Sequence, residues 1–127
     1  MIELKIENTE FGSIEIDGKK YDHDVVVLPD RIVRREKQIS KDKHGTSHKF
    51  SREEMEKYLE EMDAETIEGV IIGTGQYGRL GLLPETKDLL NSKKVKFVEL
   101  KTPDAIERFN IGETSGEKKI GIFHVTC

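Results

Sequence analysis

Apolar and charged residues alternate at the head of the chain. Ile2, Leu4 and Ile6 are separated by charges, and Ile14 and Ile16 repeat the pattern. Each run offers one face to a core and the other to water, which is the period of a strand. Asp17-Gly18 supplies a turn whose glycine takes positive φ without a Cβ clash. "YDHDVVVL" continues as a strand with a β-branched centre, Pro29-Asp30 turns the chain, and "RIVRRE" returns. These segments predict an antiparallel meander. The next stretch, "KQISKDKHGTSHKF", is a polar arm with neither a helical nor a strand period.

A helix start follows the arm. Ser51 and Glu54 have the spacing of a capping box, and Phe50 and Met55 that of a hydrophobic staple. Met55, Tyr58, Leu59 and Met62 then form the stripe of a helix packed on one face, a core pattern rather than a cofactor box. "GVIIG" suits a strand buried on both faces. Pro84 opens a helix through Leu90, "VKFVEL" is a strand, and Thr102-Pro103 starts a helix that stops at Gly112. "KKIGIFHVTC" closes the chain as a strand. N-terminal antiparallel strands followed by β-α-β-α-β predict an α/β fold. Its main sheet carries helices on one side, and the first strands form a second layer or extend the main sheet.

A length of 127 residues fits one domain, residues 1–127. With 35% hydrophobic and 36% charged residues, the core is lean and the surface densely charged, as is common in heat-adapted chains. A net charge of -4 argues against broad nucleic-acid binding. The charge is nevertheless uneven. The segment from Arg31 to Arg52 is basic, and that from Glu53 to Glu68, which includes Asp63 and Glu65, is acidic. Two readings fit: solvated faces that attract one another, or a site for an anion or an acidic partner. The lone cysteine, Cys127, has no partner for an internal disulfide, which fits a reducing compartment. The N-terminus does not read as a targeting signal, and no apolar run approaches the ~20 residues that cross a bilayer. A cytoplasmic protein with no membrane association is expected.

Gly73, Gly75 and Gly78 spell G-x-G-x-x-G after an apolar strand, and Glu99 lies near the spacing of a ribose-binding acid. Three features oppose a dinucleotide site. In that fingerprint the helix starts inside the motif, whereas here Leu80 to Leu83 intervene before Pro84. The chain is too short for two mononucleotide-binding halves. Gln76 and Arg79 also make the loop tip polar. The loop is therefore either a small-anion or small-ligand pocket at Gly73, Thr74, Gly75 and Gln76, or a purely structural turn. No cofactor is expected.

His44 and His48 frame "HGTSH". Gly45, Thr46 and Ser47 disfavour the helix that would align the two imidazoles, and no third ligand follows at standard spacing, so no metal is expected. His48 either faces a pocket or is a solvated surface histidine. By strand alternation His124 shares a face with Ile120, Ile122 and Thr126, while Phe123, Val125 and Cys127 point the other way. His124 and Cys127 are thus not a base and nucleophile pair.

"GTSH", "GTGQY…LLPETKDLL", "TPDAIERFN" and "FHVTC", taken in order, resemble a family of small uncharacterised domains. It includes the vertebrate adipogenesis-associated domain protein, many archaeal and bacterial hypothetical proteins and, more distantly, mitochondrial complex I assembly factor 3. Gly45, Thr46, His48, Gly73, Gly75, Pro84, Thr102, Ala105, Asn110, His124, Thr126 and Cys127 carry the match. Arg34 and Arg35 depart from it, standing where many relatives have a tryptophan pair. The resemblance implies a three-layer β/β/α fold around a mixed central sheet, no established catalysis, and roles in assembly or regulation.

These readings converge on a non-enzymatic binding or assembly module, with a protein partner or a small anionic ligand met near the glycine loop. Homo-oligomerisation is left open. The alternative is an enzyme acting on a small phosphate- or carboxylate-bearing metabolite. There His48 or His124 serves as acid or base, Thr46, Thr74 and Gln76 complete the site, and the amides around Gly75 stabilise negative charge.

Overall fold

The structure is a computed structural model that describes residues 4–62 and 66–127. Ile2 of the first predicted strand, and Asp63 and Glu65 of the acidic run, lie outside the described residues. The alternating N-terminal segments fold as a three-stranded antiparallel sheet of β1 (Ile6–Glu10), β2 (Ser13–Ile16) and β3 (Lys19–Tyr21). The Asp17-Gly18 turn joins β2 to β3, with both residues at positive φ.

"YDHDVVVL" is not one strand. It breaks after Tyr21, and β4 (Val25–Val27) begins a second sheet. β4 pairs with β5 (Ile32–Arg34) across the Pro29-Asp30 turn. The second sheet has the order β5-β4-β10-β7-β9, with β7 at Gly69–Gly73, β9 at Lys96–Leu100 and β10 at Lys119–Phe123. β4 runs antiparallel to both of its neighbours, β5 and β10, whereas β10, β7 and β9 are mutually parallel. This is the expected three-layer α/β architecture with a mixed central sheet.

The polar arm is the clearest departure from expectation. Lys37–His44 forms helix α1, closed by Gly45 in the left-handed conformation with its amide on the Lys41 carbonyl. No apolar stripe announced this helix. Its buried residue is Ser40, and Lys41, Lys43 and His44 sit in its last turn, where cations favour the helix dipole. After the arm come the two-residue strand β6 (Lys49–Phe50) and helix α2 (Arg52–Glu60). β6 pairs in parallel with β8 (Gly81–Leu82), which leads to α3 (Pro84–Ser92). Helix α4 runs Thr102–Thr114 and passes through Gly112 rather than stopping there.

The central sheet separates two apolar cores. On one face Val26, Val70, Ile72, Ile120 and Ile122 pack against Met55, Tyr58 and Leu59 of α2 and Leu89 and Leu90 of α3. On the other, Val25, Val27, Ile71 and Phe123 meet Ala105, Ile106 and Phe109 of α4, together with Ile6, Ile14 and Ile16 of the N-terminal sheet. The helices therefore do not all lie on one side. β7 leads through α3 outward to β9, and α4 then carries the chain back past β7 to β10. Parallel crossovers are right-handed, so reversing the direction of travel puts the second helix on the opposite face.

Candidate functional site

The carboxyl ends of β7 and β10 lie side by side, and the segments beyond them form the site. After Gly73 the glycine loop curls back on the tail of the chain. The Gln76 amide donates to the Thr126 carbonyl (2.7 Å), and the Tyr77 and Arg79 amides both donate to the Cys127 carbonyl (3.1 Å each). Gly75 has φ +106°, and a Cβ there would lie 2.3 Å from the Cys127 carbonyl carbon. Glycine is required by close approach of the chain's own backbone. Thr102 ties the layers together, accepting from the Gly75 amide (2.9 Å) and donating to the His124 carbonyl (2.6 Å).

Among the glycine-loop candidates, Thr74 donates its hydroxyl to the Leu100 carbonyl (3.1 Å). The Gln76 amide group donates to Thr9 Oγ1 (3.0 Å) and to the Glu10 carbonyl (3.2 Å), pinning the β1–β2 hairpin to the loop. Glu99 accepts from the Leu82 amide (2.8 Å) and pairs with Lys87 (3.5 Å). A cavity of about 300 Å³ exists elsewhere, lined by Leu4, Val27, Phe109 and Lys119, at the opposite end of β10.

The structure does bring His48 and His124 together. Their rings meet edge to face with centroids 5.4 Å apart. Thr46 shapes the loop that delivers His48, its hydroxyl accepting from the His48 amide (3.2 Å). Burial, then the positive fields of His124, Arg35 and Arg79, lower the His48 pKa below its ordinary value. His44 lies apart from this contact, at the end of α1 with Nε2 4.0 Å from Glu85. No group of three or more His, Cys, Asp or Glu among the described residues is placed to hold a metal ion.

His124 is buried and held by a residue that sequence reasoning missed. Asp24 Oδ2 lies 2.7 Å from His124 Nδ1, and Asp24 Oδ1 accepts from the Val125 amide (2.8 Å). Burial alone would raise the Asp24 pKa. The His124 hydrogen bond and charge, the Val125 amide and Arg35 outweigh it and hold the carboxyl at about 2. Asp24 is thus an ionised acceptor, and His124 Nδ1 must carry the proton between them. The other nitrogen, Nε2, lies 3.3 Å from Thr126 Oγ1.

Arg35 extends this pair into the interior. Its buried guanidinium donates to Asp24 Oδ2 (3.0 Å), to Glu54 Oε1 (3.0 Å) and Oε2 (2.8 Å), and to the Ser47 carbonyl (2.8 Å), and it lies over the Phe50 ring. Ser40 and Tyr58 also donate to Glu54, at 2.5 and 2.7 Å. Burial, reinforced by Glu54, pushes the Tyr58 phenol far above its usual range, so it remains a donor. These contacts correct two expectations. Half of the capping box forms, with Ser51 Oγ accepting from the Glu54 amide (3.0 Å), but the Ser51 amide turns to Ser40 Oγ (2.9 Å) because Glu54 is committed to Arg35. Arg35 itself is no part of a solvated basic face. A hint was present in the sequence: Asp24 abuts an unbroken apolar strand, where a carboxylate needs a cationic partner.

Asp24, Arg35, His48, the glycine loop and His124 all lie within the region that matches a known family. The model of a protein family described as of unknown function (DUF498/DUF598) matches residues 6–124. The chain belongs to the DUF498/DUF598 family. A conserved hypothetical protein from Pyrococcus horikoshii is 45% identical to this family member, with a TM-score of 0.84 over 97% of this chain and 99% of that one. A protein named MT938 is 34% identical, with a TM-score of 0.82 over 98% and 99%. At 16% identity, a Bordetella pertussis protein described as an Mth938-like domain shares the fold, with a TM-score of 0.70 over 95% and 85%. Among the described residues of the DUF498/DUF598 protein, no helix is long and apolar enough to cross a membrane.

Proposed function

We propose that this protein is a non-enzymatic binding module, with an assembly or regulatory role in the cytoplasm, that recognises a segment of a partner protein at the outer tip of the glycine loop. One observation carries the reading. Phe11 and Tyr77 are 59% and 68% exposed, and their rings lie 6.1 Å apart. Phe11 sits in the β1–β2 turn and Tyr77 in the glycine loop. The loop is pinned to the hairpin by Gln76 and to the chain's tail by the amides of Tyr77 and Arg79. The pair is therefore held before any partner arrives, which reduces the ordering cost of binding. Exposed aromatic residues on a rigid support are the usual anchors of protein interfaces.

The flanking charge narrows the partner's chemistry. Arg79 is exposed beside Tyr77, and Lys101 packs its side chain over Gly78. Glu10 is the acidic neighbour of Phe11. An apolar side chain next to carboxylates complements this surface, so the partner is an acidic segment with an aliphatic or aromatic anchor. Selection from a displayed peptide library tests the reading. Enriched peptides should combine Asp or Glu with Leu, Ile or Phe, and should lose binding to a Phe11→Ala/Tyr77→Ala double variant of unchanged thermal stability. Failure to enrich any such peptide, or equal binding to the double variant, overturns it.

A further inference from the structure

The partner surface makes no use of the oriented imidazole of His124. Asp24 accepts from His124 Nδ1 at 2.7 Å, so in the neutral ring Nε2 has its lone pair free. That lone pair faces Thr126 Oγ1 at 3.3 Å, which makes the hydroxyl the donor of this contact. An oriented base within hydrogen-bond reach of a hydroxyl is the arrangement that activates an oxygen nucleophile. Thr126 is half-buried, whereas His124 is almost fully buried. His48 packs its ring edge against His124, and Arg79 contributes a positive field at that ring.

We propose that Thr126 is a covalent acyl-acceptor site, with His124 as its general base and Asp24 as the residue that positions the base. The donor class is an activated acyl compound with an anionic leaving group, such as an acyl phosphate, which the positive field of Arg79 favours. In the step, Thr126 Oγ attacks the acyl carbonyl carbon and an Oγ–C bond forms. The bond from that carbon to the phosphate oxygen breaks, and its electron pair leaves with the phosphate. The Thr126 hydroxyl proton passes to His124 Nε2 and from there to the departing phosphate. The products are an O-acyl threonine and inorganic phosphate, and the imidazole is restored. The step is a single acylation rather than turnover, and it is independent of the partner surface.

Acetyl phosphate is the probe, with peptide mass spectrometry locating the acetyl group. Acetylation of Thr126 should be detected in the folded protein at neutral pH. It should fall about a hundredfold in His124→Gln, the usual size of a lost general base. Thr126→Val should abolish labelling at that position, and Thr126→Ser should retain it. Asp24→Asn should slow labelling and move the pH–rate profile, whereas a merely structural role would lower the yield without moving the profile. The groups facing the base are Asp24, which Arg35 backs, and His48, which lies in the field of Arg79. Acetyl groups confined to lysines, or equal labelling of Thr126 in folded His124→Gln, would overturn the proposal.

Discussion

Changing Asp24 to asparagine keeps the shape of the side chain and removes its charge. The folded protein holds this carboxyl at about 2 against an ordinary value of 3.8, because His124, the Val125 amide and Arg35 together outweigh the effect of burial. By linkage, that difference corresponds to roughly 2.5 kcal/mol of stability at neutral pH. The folded value lies below the unfolded one. The contribution is therefore fully present above about pH 4 and is lost as the pH falls through about 2. Once protonated, Asp24 is a neutral group that resembles asparagine in charge. Urea unfolding of both proteins at pH 7 should give a difference of about 2 to 3 kcal/mol, and at pH 2 the difference should shrink towards zero. Comparison of the two proteins cancels the other carboxylates, which titrate alike in both. A difference of the same size at both pH values would refute the assignment of Asp24 as an ionised buried partner of His124 and Arg35.

Three further outcomes follow from the same geometry. Arg35→Met removes the cation between Asp24 and Glu54 and should destabilise the fold by about 3–5 kcal/mol at pH 7; chemical denaturation reads the loss, and an effect under about 1 kcal/mol would contradict the burial of the pair. Gly75→Ala places a Cβ 2.3 Å from Cys127 at a left-handed φ, so the tail must leave the loop. Hydrogen exchange at the Gln76, Tyr77 and Arg79 amides should speed up at least about tenfold, and unchanged exchange would sink that account. In proton NMR, His48 should titrate below its ordinary value of 6.5, and Arg79→Ala should move its midpoint upward. A midpoint indifferent to Arg79 would show that its charge does not reach the ring.

Much of this protein is legible in its residue order. Period-two alternation at Ile14 and Ile16 needs only a local face, as does the helical stripe from Met55 to Leu59, and both formed. Pro84 and Thr102-Pro103 open their helices for the same reason: a missing backbone donor is a local fact. Helix α1 was not legible, because its one buried side chain is the polar Ser40, whose partners Ser51 and Glu54 lie beyond the arm. The site divides in the same way. Strand alternation predicts His124 and Thr126 on one face, but β10 ends at Phe123, and the two side chains meet in the segment beyond the strand. Asp24 is a hundred residues from His124 in sequence, and only the antiparallel pairing of β4 with β10 joins them. Sequence periodicity determines which face of an element is apolar. Strand order, and with it the side taken by α4 and the partner of each buried charge, is decided only when the sheet closes and desolvated charges must find one another.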